Sequence, residues 1–163
     1  MKIEKLNKTY KTKYETVQAL KEVDLYLPKT GMVFIVGVSG SGKSTLMNML
    51  SGIDRPSKGN IYIGGEPLFK EKEKHMFGYR NSYVGLIFQD YNLIEDLNVY
   101  DNIKLTLELM GRKDFEVVDE VIKLVDIEEI KYSKVNEISS GQMQRVAIAR
   151  TIVKESSIIL ADE

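Results

Sequence analysis

Between Gly37 and Thr45 the chain reads Gly37-Val38-Ser39-Gly40-Ser41-Gly42-Lys43-Ser44-Thr45. This spacing fits G-x-x-x-x-G-K-[ST]. Small residues let successive backbone N–H groups turn inward around phosphate oxygens, the lysine reaches the terminal phosphates and the following hydroxyl meets Mg2+. Three other stretches carry groups able to do chemistry. Gln89 ends the apolar run Tyr83–Phe88, the place where α/β proteins keep ligand contacts; alone it reads equally well as a strand-capping amide. Ser139-Ser140-Gly141-Gln142 opens a helical pattern with small residues, which is anion-ready but also what an ordinary capped helix looks like. Asp162 and Glu163 follow the apolar run Ile158–Leu160, and carboxylates delivered at the end of a buried strand can help to hold Mg2+ beside phosphates.

These residues need particular elements to position them. Met32–Val36 reads as a buried strand feeding the glycine loop, and Ser44–Leu50, stopped by Gly52, reads as the helix that follows. Strand, glycine loop and helix aim a helix N-terminus at the phosphate. Before them, Lys2–Leu6 is strand-like and Ala19–Leu27 alternates apolar and polar residues up to Pro28. Tyr10 and Tyr14 lie between these strands, and each alone reads as a half-buried surface aromatic. After the loop helix, Asp54–Gly59 is a turn cluster, and Asn60–Ile63 closed by Gly64-Gly65 signals a hairpin. Lys70–Lys74 is a charge run read as a solvated helix face. His75, with no other ligand at metal spacing, reads as a surface residue. From Val99 the period becomes helical: Val99, Ile103, Leu107 and Met110, then Val117, Val121, Leu124 and Val125. Met143–Lys154 reads as a helix burying Val146, Ala149 and Val153, and Ser157–Glu163 as a closing strand.

The 163 residues suffice for one good core. With 23 basic and 24 acidic residues the net charge is -1, which gives no basic face for nucleic acid. The absence of cysteine excludes disulfides and thiolate metal sites and points to a reducing cytosol. The start carries no signal-peptide core, and no apolar run approaches the ~20 residues of a membrane span. A chain that stops at Ala161-Asp162-Glu163, at the tip of an apolar strand, is expected to be a fragment.

The four motifs in this order resemble the ATP-binding subunit of an ABC transporter over nearly the whole chain. Gly37–Thr45 corresponds to Walker A, Gln89 to the Q-loop glutamine, Ile138–Gln142 to the signature motif and Ile158–Glu163 to Walker B. Ala19–Leu25 and Ile87–Ile94 are similar to the branch serving macrolide export, lipoprotein release and peptide-antibiotic resistance. The resemblance implies an α/β fold: a P-loop NTPase core with an N-terminal antiparallel β subdomain and an inserted helical subdomain, lacking the C-terminal part of the core. Residues 1–89 and 146–163 would form the ATP-binding core with its β subdomain, and 90–145 the helical subdomain ending in the signature.

The resemblance also implies roles. ATP and Mg2+ are the cofactors. Lys43 and the amides of Gly37, Val38, Ser39, Gly40, Ser41, Gly42, Ser44 and Thr45 would hold the phosphates. Ser44 would bind Mg2+ directly and Asp162 through water; Gln89 would sense the metal and the attacking water, and Glu163 would act as general base. Tyr10, rather than Tyr14, would stack on adenine. Ser139, Ser140, Gly141 and Gln142 would act in trans, across a head-to-tail dimer with a second nucleotide-binding domain. A transmembrane permease would dock on Gln89–Leu93, leaving the subunit cytoplasmic and peripheral at the membrane. Against the family pattern, Ser140 stands for a glycine, Ile138 for a leucine and Val135 near a usual proline, so weaker dimer closure is expected, with little strain if φ at Ser140 is negative. Two other readings follow from the same residues. One is a nucleotide-binding module without turnover; the other is a soluble ABC-type ATPase of translation or DNA repair, disfavoured by the single cassette and by the lack of a long coiled coil.

Overall fold

The computed structural model describes residues 1–69 and 73–162. Most of the charge run Lys70–Lys74, the side chain of His75 and the whole of Glu163 lie outside what is described. The chain forms two compact units, Met1–Arg80 and Asn81–Glu163.

In the first unit, β1 (Lys2–Lys11), β2 (Thr16–Tyr26), β3 (Lys58–Ile63) and β4 (Glu66–Pro67) make an antiparallel sheet in the order β2-β1-β3-β4. Ile3 lies opposite Leu25 on one side and Ile61 on the other, and Ile3, Leu6, Leu20 and Ile61 are buried. The hairpin expected at Gly64-Gly65 forms there, with φ values of 61° and 92°. Helix α1 (Lys43–Leu50) buries Leu46, Met47, Met49 and Leu50. Helix α2 (Glu73–Ser82) buries Met76 and Tyr79, and the Tyr79 hydroxyl donates 2.8 Å to the Leu50 carbonyl at the end of α1.

The expected strand Met32–Val36 does not form. Met32, Phe34 and Val36 are 80%, 79% and 88% exposed. Apolar composition fits a segment to a pleated, buried surface, but ladder partners make it a strand. Among the described residues none pairs with it.

In the second unit, β5 (Val84–Ile87) and β6 (Ile158–Ala161) pair in parallel, in register from Val84↔Ile158 to Ile87↔Ala161. A parallel pair needs a long crossover. It contains α3 (Val99–Leu109), α4 (Glu116–Leu124) and α5 (Ser140–Ile152), with single 3-10 turns at Glu128–Ile130 and Val135–Glu137. Their core joins Val99, Ile103 and Leu107 to Val118, Val121, Ile122, Val146, Ala149 and Val153. Asn98 caps α3 by accepting from the Asp101 amide at 2.8 Å, and Gly111, at φ 73°, follows its end. The buried face of α4 is Val118, Val121 and Ile122. Of the expected stripe Val117, Val121, Leu124 and Val125, Val121 is buried and Val117 and Val125 pack partly buried against this core, whereas Leu124 is 69% exposed. α5 also starts earlier than the apolar pattern suggests, at Ser140 instead of Met143.

Candidate functional site

The glycine loop leaves the irregular segment 32–38, turns at Ser39-Gly40 and enters α1 through Gly42. Gly42 is the N-cap at φ 92°, and a Cβ there would stand 2.7 Å from the Ala19 carbonyl of β2. Glycine is therefore required by both the left-handed backbone and the close approach. With no side chain capping α1, its first-turn N–H groups face the loop with the positive end of the helix dipole. The Lys43 ammonium lies across the loop, donating to the carbonyls of Gly37 (2.9 Å) and Val38 (3.0 Å). Two neutral carbonyls hold a cation weakly compared with phosphate oxygens. Val38, Ser39, Gly40, Ser41 and Ser44 are exposed along the same loop. This is an open, positively polarised cradle.

Tyr10, near the end of β1, stands beside it. Its hydroxyl donates to Asp54 Oδ2 at 2.9 Å and also faces the Thr45 side chain, the last residue of the loop motif. Burial raises the Tyr10 phenol above its ordinary pKa, and the Asp54 carboxylate adds to this while Thr45 opposes it. Tyr14, by contrast, is 91% exposed.

In the second unit the parallel register brings two expected site residues to the same edge. Gln89 follows the end of β5 and is exposed, and the Asp162 amide donates 3.0 Å to the Ile87 carbonyl, just past the end of β6. Arg150 of α5 is a residue the sequence reading missed. Its guanidinium donates to the carbonyls of Tyr91 and Asn92, both at 2.7 Å, and those two residues hold left-handed φ values of 57° and 47°. Burial lowers the Arg150 pKa. Thr151 and Lys154 bond to the carbonyls of Leu86 and Val84, so α5 is stitched along β5 and the turn that follows it.

At the start of α5, Ser139 Oγ accepts from the Gln142 amide (3.3 Å) and Gln142 Oε1 accepts from the Ser139 amide (2.8 Å), a reciprocal capping box. Ser140 opens the helix without positive φ, so the condition for low strain is met. Ser139, Ser140 and Gly141 are all exposed, and a Cβ on Gly141 would meet nothing within 4 Å.

Among the described residues no group of three or more His, Asp or Glu gathers to cage a metal. Mg2+ in phosphate sites is held by one or two protein groups plus phosphate and water, and the exposed Ser44 hydroxyl at the first turn of α1 suits that donor set.

Comparison with known proteins gives a consistent answer. The ABC transporter family matches residues 20–163. The bacitracin export ATP-binding protein BceA of Halalkalibacterium halodurans is 44% identical over 97% of this chain, which spans 64% of that protein. The ABC transporter ATP-binding protein YtrE of Bacillus subtilis is 43% identical over 90% of the chain, again spanning only 65% of the relative. Among solved structures, a dimeric ATP-binding cassette in a post-hydrolysis state bound to ADP and Pi superposes with a TM-score of 0.92 at 35% identity, covering 99% of this chain and 73% of that one.

Proposed function

Because the chain belongs to the ABC transporter family, we propose that it is the ATP-binding and ATP-hydrolysing part of a membrane transporter, most simply an exporter. One observation carries the reading: the left-handed Gly42 opens α1 toward the loop while Lys43 rests on carbonyls that phosphate oxygens would replace. Bound Mg2+, held by Ser44 and, through water, by Asp162, would neutralise phosphate charge. Lys43 and the loop amides bind and orient the β- and γ-phosphates. Gln89 and Asp162 lie at the ends of adjacent strands, which supports a shared role at the metal and the attacking water. Glu163 remains the proposed general base. Phosphoryl transfer asks for positioning and charge stabilisation, which these groups supply.

The export reading rests on the name of the bacitracin relative. The partners are a transmembrane permease, docking near Gln89–Leu93, and a second nucleotide-binding domain arranged head to tail. The permease would hold the subunit at the cytoplasmic face of the membrane. Dimeric cassette relatives support the second partner. So does Gly141, whose surroundings within the chain leave room for a side chain. Residues 1–89 with 146–163 act as the nucleotide-binding part, and 90–145 as the helical part that carries Ser139, Ser140, Gly141 and Gln142 to the other subunit's ATP.

Lys43→Ala should weaken ATP binding about tenfold or more, as expected for losing charged hydrogen bonds. Titration calorimetry measures it, and an unchanged affinity would overturn the proposal. A second reading, nucleotide holding without turnover by these 163 residues, is favoured by the unpaired segment Met32–Val36 leading into the loop. Magnesium-dependent hydrolysis by residues 1–163 alone would exclude it.

A further inference from the structure

Lys8, Tyr10 and Asp54 form a compact cluster whose parts come from β1 and from the turn after α1. Lys8 and Tyr10 are two residues apart on one strand, so their side chains share a face. The turn is stitched to that strand: the Ser57 amide donates to the Asn7 carbonyl (2.8 Å), and the Thr9 amide donates to Ser57 Oγ (3.0 Å). Asp54 then receives three donors, Lys8 Nζ (2.5 Å), the Tyr10 hydroxyl (2.9 Å) and the Arg55 amide (2.7 Å). Lys8 Nζ also donates to the Arg55 carbonyl (2.8 Å), and it stands 4.8 Å from the centroid of the Tyr10 ring.

The Lys8–Asp54 ion pair is partly buried, so desolvation offsets some of its Coulomb gain. The Lys8 side chain is only 12% exposed, yet the ring it touches is 38% exposed. The ring is held at its hydroxyl and covered on one face, beside the loop residue Thr45. A ring fixed in this way has already lost the freedom that stacking would otherwise remove.

We propose that Lys8 and Asp54 are positioning residues that hold Tyr10 as a one-sided platform, with Lys8 occupying one face of the ring and the nucleobase stacking on the other. The inference rests on the nucleotide-binding reading above. Burial opposes ionisation of Asp54, but the bonds from Lys8, Tyr10 and Arg55 outweigh it and leave its pKa below the ordinary value, so the carboxylate that holds the phenol is charged at neutral pH.

The test compares ATP with inorganic tripolyphosphate, which has the phosphates and no base, on the full 163-residue chain by titration calorimetry with Mg2+. Tyr10→Ala should cost about tenfold in ATP affinity, as for loss of one stacked base. Asp54→Ala and Lys8→Met should each cost about threefold, part of that stacking energy. None of the three should change tripolyphosphate affinity, which also reports an intact phosphate loop. In a Tyr10→Ala background, Asp54→Ala should cause no further loss. Equal losses for ATP and tripolyphosphate, a full Asp54→Ala effect without Tyr10, or unchanged ATP affinity in Asp54→Ala and Lys8→Met would each overturn the proposal. If the unaltered chain binds neither ligand, the nucleotide-binding reading itself fails, and this one with it.

Discussion

At Gly42 the chain itself demands glycine, through φ 92° and the Ala19 carbonyl, whereas at Gly141 it demands nothing: φ is not left-handed and a Cβ would enter open space. Alanine also favours a helix over glycine by about 1 kcal/mol. Gly141→Ala should therefore leave Tm unchanged or raise it by about 2–4 °C, and leave ATP affinity of the monomer unaltered. ATP-driven dimerisation, followed by analytical ultracentrifugation, should be lost, because the proposed head-to-tail arrangement gives that space to the partner's nucleotide. A variant that dimerised normally would remove Gly141 from the proposed interface. Although the Ala19 carbonyl that closes on Gly42 comes from distant β2, residue types at the glycine loop and at Ser139–Gln142 were legible in the sequence because each motif is a short run with its own spacing. The Lys8–Asp54–Tyr10 cluster was not, since its parts are far apart in the chain. Lys8 and Tyr10 also lie beyond the expected strand Lys2–Leu6: Tyr10 is not between strands as expected, because β1 runs on to Lys11 and puts both residues on one strand face.

At the scale of elements, α5 connects two of the motifs. Its N-terminus carries Ser139 to Gln142, and Arg150, in its last turn, holds the carbonyls of Tyr91 and Asn92 just beyond Gln89. Two non-glycine residues in succession at positive φ are strained, and the guanidinium fork adds two charged bonds to the backbone bonds that the turn makes within itself. Arg150→Ala should lower stability by about 2 kcal/mol, as for charged hydrogen bonds. It should also raise hydrogen-exchange rates locally at residues 89–93. Arg150→Lys should not rescue that protection, because an ammonium lacks the rigid two-pronged donor geometry. Exchange at 89–93 that stayed unchanged in the alanine variant would show that the turn holds itself. The helices themselves were legible from period, but the α4 stripe was only partly placed: Leu124 is as apolar as Val118 and Ile122, and packing in the helical core decides that it is the one left outside.

For the molecule as a whole, the strand that failed to form has the widest consequence. The length and apolarity of Met32–Val36 led to the expectation of a buried strand, but pairing is a long-range property that composition does not contain. What results is an exposed apolar run with Met32, Phe34, Val36 and Val38 in water. Contiguous apolar surface of this kind promotes association, and a net charge of -1 supplies little repulsion to oppose it. The 163-residue chain should self-associate with rising concentration at neutral pH, seen by static light scattering, and should enhance the fluorescence of a hydrophobic dye. Phe34→Ser should reduce both. This association differs in kind from the proposed nucleotide-driven dimer: it should not need ATP, and Gly141→Ala should leave it untouched. If it vanished in Gly141→Ala or required ATP, the contact would lie at the start of α5 instead. A monodisperse chain that bound no dye would mean that Met32–Val36 is covered in solution.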